Sequence, residues 1–100
     1  MARRRVNIRI VEFVFDDENQ EKFAGHGLTA RRVDQILDNP PYVVVRNRKF
    51  RRGGYRVIGV DDGDACIVVP IEATKQRGVW RPITAWLCTP QQNELLRRSI

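Results

Sequence analysis

With 100 residues, 42% of them hydrophobic and 30% charged, the chain can bury one core but not two, and it has the balance of a folded globule rather than of a disordered segment. A formal net charge of +6, with no apolar run near the ~20 residues of a bilayer span, excludes a membrane-crossing helix and turns attention to anionic partners. A single histidine and two cysteines, Cys66 and Cys88, without metal-type spacing exclude a zinc-finger ligand set.

Val6 to Phe15 alternates and is rich in Val, Ile and Phe, which predicts a first strand. Asp16 is placed to cap a helix from Asp17 to about Ala24, with Glu18 and Lys22 at pairing distance along it and Gly25 and Gly27 ending it. Thr29 caps a second helix, whose stripe Ala30, Val33, Ile36 and Leu37 must bury against a sheet, and Asn39-Pro40-Pro41 stops it. Four strands follow at Tyr42 to Val45, Tyr55 to Val60, Cys66 to Ile71 and Val79 to Ala85, joined by turns rich in Gly and Asp. Thr89, Pro90 and Gln92 open a last helix with a capping box, and Leu95 and Leu96 would dock it. A strand and two helices, then an antiparallel strand meander, then a C-terminal helix make an α+β layer. Residues 1–5 are read as a basic, disordered tail, and 6–100 as one domain. The cysteines fall in apolar stretches and are expected to be reduced core residues of a cytoplasmic protein, since charges interrupt any leader-like core near the N-terminus.

The positive charge is segregated. Arg46, Arg48, Lys49, Arg51, Arg52 and Arg56 form a cluster with no acid among them, while acids gather at Asp16 to Glu21 and Asp61 to Asp64. A basic segment of this kind is the footprint of a polyphosphate binder, because each cation that neutralises a phosphate releases counterions. RNA is therefore the expected partner, and the six residues are the expected contacts. No stretch pairs the cluster with a broad apolar helical face, so a membrane surface is not expected. His26 is the one side chain whose ordinary pKa lies near neutrality, and it is the candidate acid or base. Arg81 sits in an otherwise apolar strand and needs an anion, which is either a substrate phosphate or Glu72 at the end of the preceding strand. No metal-binding pair, Walker loop or Ser-His-Asp order is present, so no metal or cofactor is expected.

The blocks Phe13-Val14-Phe15-Asp16-Asp17-Glu18-Asn19, His26-Gly27-Leu28-Thr29, Asn39-Pro40-Pro41 and Trp80-Arg81-Pro82-Ile83-Thr84-Ala85, in that order, resemble the BrnT-like toxin family from about Phe13 to Arg98. The resemblance implies a RelE-like fold and the toxin role in a type II toxin-antitoxin system. It also implies metal-independent cleavage of mRNA, which inhibits translation, and a cognate antitoxin that sequesters the toxin. Within it His26 would be the acid or base and Arg81, helped by Arg52 or Arg56, would hold the phosphate. Gly25 stands where the family carries Lys or Arg, Trp86 where it carries Arg, and Gln92, Asn93 and Leu96 near its Glu, Arg and Tyr. The alternative is a catalytically degenerate RNA- or partner-binding module of the same fold.

Overall fold

The structure, a computed structural model, describes residues 6–48 and 52–99. In chain order these form β1 (Glu12–Phe13), α1 (Asp17–Gly25), α2 (Ala30–Asp38), β2 (Val43–Arg46), β3 (Tyr55–Val60), β4 (Cys66–Ala73), β5 (Val79–Pro82), β6 (Trp86–Leu87) and α3 (Pro90–Arg98). The sheet runs β1-β5-β4-β3-β2, with β6 continuing beside β4 where β5 stops. All its pairs are antiparallel except β1 with β5. The α+β class and the order of strand, two helices, strand meander and closing helix are those the sequence predicts, but the last strand, expected over Val79 to Ala85, ends at Pro82 and a further short strand, β6, follows it. The caps agree as well: the side chains of Asp16, Thr29 and Thr89 each accept a backbone N–H at the start of their helices.

The first strand is shorter than its alternation predicts. The Val6 N–H donates to Val44 O on β2, while the N–H groups of Val11 and Val14 donate to Gly78 O and Trp80 O beside β5. The segment therefore runs from one edge of the sheet to the other. Its five-residue reach from Val6 to Val11, at most ~18 Å, limits how far apart those edges lie and requires a strongly curved sheet. Only the end of the segment runs alongside a strand, and its apolar residues Val6, Ile8 and Ile10 pack against the core.

Strand alternation gives the sheet two buried faces. On one, Val44, Val57, Ile67, Val69 and Ile71 pack under α1 and α2, which contribute Phe23, Val33 and Ile36. The approach of α2 requires Gly59, where a Cβ would stand 3.1 Å from Ile36 Cβ and 3.2 Å from Tyr42 Cβ. On the other face Val43, Val45, Ile58 and Val68 are covered by α3 through Leu96 and Leu95. The buried Asp61 ties α2 to the β3–β4 hairpin. Its Oδ1 accepts from the N–H groups of Gly63 and Ala65, and its Oδ2 from Arg32 Nε at 2.8 Å.

The β5–β6 stretch departs from regular alternation. Pro82 lies opposite Ile71 and Trp86 opposite Val68, so four steps on one side face three on the other. One extra residue of this kind is a β-bulge, and it falls where Pro82 has no N–H to give to the ladder.

The cysteines also depart from expectation. Cys66 and Cys88 are joined in a disulfide, with Cα atoms 5.3 Å apart. The reason is register: with Ile67 opposite Leu87, Cys66 and Cys88 are cross-strand neighbours, and the Cys88 N–H donates to Cys66 O. The bond fastens the residue just before the α3 cap to the start of β4, and it closes a loop over a sequence separation of 22. Opening a loop of that size by reduction should lower stability by about 3 kcal/mol. Urea unfolding with and without a thiol reductant, repeated on a Cys66→Ser/Cys88→Ser variant, measures this. Coincident midpoints would remove the disulfide from the stability of the fold.

Candidate nucleic-acid interface

The face under α3 is only partly covered. Arg56 lies opposite Pro70 on β4, and Glu72, two residues along, lies opposite Arg81 on β5, so Arg56, Glu72 and Arg81 share that face. Arg81 and Trp86 are five positions apart and would face opposite ways in a regular strand. The bulge brings Trp86 round to the same side, opposite Val68. Beside the first turn of α3 this leaves a cavity of about 430 Å³ walled by Asn47, Arg48, Arg52, Arg56, Thr84 and Trp86, among others. A second cavity of about 700 Å³ runs on along α3 and shares Arg48, Arg56 and Gln92 with the first.

Within this groove the guanidinium of Arg56 lies 5.3 Å from the centroid of the Trp86 ring, and its Nε donates to Asn47 Oδ1 at 2.7 Å. Stacking on an indole orients the flat cation. Asn47 organises the basic hairpin, since its Oδ1 also accepts the Arg48 N–H and its Nδ2 donates to Arg52 O. His26, exposed at the C-cap of α1, places its ring 6.5 Å from that of Trp86. One indole therefore has both a cation and an imidazole against it.

Arg81 is used differently. Its Nε and Nη2 donate to the two oxygens of Asp16 at 2.7 and 3.1 Å, Nη2 also to Glu18 at 3.3 Å, and Nη1 to Glu72 at 2.9 Å. Four hydrogen bonds to three carboxylates hold a guanidinium whose side chain is 18% exposed. The Asp16 carboxylate, followed by that of Glu72, outweighs burial and raises the Arg81 pKa further above its ordinary value. Conversely, the hydrogen bond from Arg81, with the Asn19 N–H next, lowers the Asp16 pKa. Glu72 is thus the anion partner that the apolar strand required, and Glu18 turns toward Arg81 and Arg52.

Of the sequence candidates, Arg48, Arg52 and Arg56 line one groove and His26 stands beside it through Trp86. Arg52 also bridges Glu72 at 3.2 Å and Glu18 at 3.6 Å, which links the groove to the Arg81 cluster. Arg46 is opposite Tyr55 and lies over its ring, on the other face of the sheet. Lys49 and Arg51 lie outside the described residues. Trp86, Asn47 and Gln92 are groove residues that the charge pattern did not single out. Among the described residues no group of three or more His, Cys, Asp or Glu could hold a metal ion, and no helix is long and apolar enough to cross a membrane.

Because the Asp16 pKa is depressed in the folded state, the stability it adds is complete above its ordinary value of 3.8 and is lost as pH falls through the lower folded value. Asp16→Asn removes that titration, so melting temperature should fall less steeply below about pH 4 in the variant than in the unaltered chain. Parallel pH profiles would detach the Asp16–Arg81 pair from acid stability.

No protein-family model matches the chain, and a search of curated proteins returns no match.

Proposed function

We propose that this chain is an RNA-binding module that holds a single strand in the groove between α3 and the open part of the sheet. The observation that carries the proposal is the convergence of Arg48, Arg52 and Arg56 on one concave surface, with Arg56 oriented by the Trp86 indole. Guanidinium groups fit phosphate oxygens, and an aromatic ring offers a stacking surface to any base. The groove is zwitterionic at one end. Arg52 is 55% exposed and shared with Glu18, itself 59% exposed, a pairing weak enough for a phosphate to displace.

A second reading, endonucleolytic cleavage of mRNA in the cytoplasm by a toxin with a cognate antitoxin, comes from the BrnT-like resemblance. The position of His26 against Trp86 favours it. A base removes the 2′-hydroxyl proton, the 2′-oxygen attacks phosphorus, and the 5′-oxygen leaves with a proton from an acid. The products are a 2′,3′-cyclic phosphate and a 5′-hydroxyl. In this geometry Arg56, held against the Trp86 ring that His26 also approaches, is the arginine positioned to stabilise the pentacoordinate phosphate.

Affinity for a labelled single-stranded oligoribonucleotide should fall with salt with a log-log slope of roughly 2, at about 0.7 per phosphate contact. Arg56→Ala should take about one contact from that slope, and Glu18→Gln, by removing one of the two carboxylates that hold Arg52, should tighten binding roughly two- to fivefold. Absence of binding at low salt would overturn the proposal. On the same RNA, a cyclic-phosphate product that is lost by two or more orders of magnitude in His26→Ala would establish the second reading, and intact RNA would reject it.

A further inference from the structure

The two cavities meet at a seam formed by Arg48, Arg56 and Gln92. Volumes of about 430 and 700 Å³ match the few hundred Å³ of a site for one small ligand each. A duplex presents a shallow, wide groove with its bases stacked inside, whereas paired concave hollows suit unstacked bases on a single strand.

Gln92 is fixed at this seam by its place in the α3 capping box. Its Oε1 accepts the Thr89 N–H at 2.9 Å, and its own N–H donates to Thr89 Oγ1 at 3.2 Å. Only the oxygen of an amide can accept a backbone N–H, so the cap decides which end of the side chain is which and leaves the Nε2 amino group as a donor at the seam. The larger cavity is partly apolar, with Val45, Ile58 and Leu95 in its wall, as a base requires. The cations Arg48 and Arg56 stand at the junction, as a bridging phosphate requires.

We propose that the shortest ligand filling the groove is a dinucleotide, with its bridging phosphate on Arg48 and Arg56, one base in each cavity, and Gln92 Nε2 donating to the strand at the crossing. The proposal rests on the RNA-binding reading and adds to it a ligand length, a strand state and a specificity-determining residue.

Gln92→Glu is the discriminating variant. Glu serves a capping box as well as Gln and suits the positive end of the helix dipole, so the fold is kept, while the donor becomes a repelling carboxylate. Gln91→Glu, which adds the same charge one residue earlier at a position lining only the larger cavity, is the control. Binding of uridine 3′-monophosphate, the uridine dinucleotide and tetranucleotide, and a blunt RNA duplex is measured for each protein, with melting temperature read alongside. The expected result is a large gain from mononucleotide to dinucleotide, a small further gain to tetranucleotide, and weaker binding of the duplex. Gln92→Glu should bind the dinucleotide roughly tenfold more weakly than Gln91→Glu, with no loss of melting temperature. Failure of the unaltered chain to bind any of these ligands would overturn the RNA reading itself. Binding with equal affinity for mono- and dinucleotide, or with the two variants indistinguishable, would overturn the seam and leave the RNA reading standing.

Discussion

The junction of α1 with β5 sets the geometry of everything on the open face. The helix begins in a reciprocal cap in which Asp16 Oδ1 accepts the Asn19 N–H and Asn19 Oδ1 accepts the Asp16 N–H. Both capping residues also reach outward. Asn19, fully buried, donates through Nδ2 to Val14 O and to Pro82 O across the sheet, and Asp16 takes two hydrogen bonds from Arg81. The Pro82 carbonyl is beside the bulge that turns Trp86 toward the groove, so the amide of Asn19 helps hold the irregular backbone in place. Leaving a buried backbone carbonyl without its donor costs ~1–3 kcal/mol, a large share of the stability of a small domain. The pairing of these two segments thus fixes the start of α1 and the direction of Trp86 at the same time.

This junction gives a physical account of two sequence blocks that otherwise invite a catalytic reading. Asp16 and Asn19 come from the first and Arg81 and Pro82 from the last, and they are contact partners. An arginine in an apolar strand has to find an anion, and here it finds three carboxylates before any substrate arrives. A catalytic role would require a phosphate to compete with Asp16 and Glu72 for that guanidinium. Arg56 is oriented on an aromatic ring and borders both cavities.

Much of the fold was legible because its signals are local. The caps at Asp16, Thr29 and Thr89, the stop at Asn39-Pro40-Pro41 and the turns between strands each depend on a few neighbouring residues, and the structure places the elements accordingly. What escaped depends on register. The shortening of the first strand follows from its run between two sheet edges, and the Cys66–Cys88 bond from β4–β6 pairing; neither has a pattern along the chain. The groove was half legible. A run of arginines without acids marks a cationic segment, yet alternation separates Arg46 from Arg56, and a one-residue bulge decides that Trp86 joins Arg56. Gln92 read as a cap, which it is; its second role as a groove wall follows only from where α3 docks.

That docking is slight for the task it performs. Leu96 is the only fully buried residue of α3, with Leu95 half-buried beside it, while the helix supplies most of one wall of the larger cavity. Burial of one leucine stabilises by about 1.5–3 kcal/mol, less than is usually needed to hold a nine-residue helix that would be marginal alone in water. The disulfide adds a covalent constraint at the residue preceding the cap, so the first turn of α3, including Thr89 and Gln92, is positioned by β4 whether or not the rest of the helix is tightly packed. The first turn of α3, which borders the arginines, is thus tethered covalently through Cys88, while Leu95 and Leu96 dock the helix from its last turns, so the two ends are held by different means.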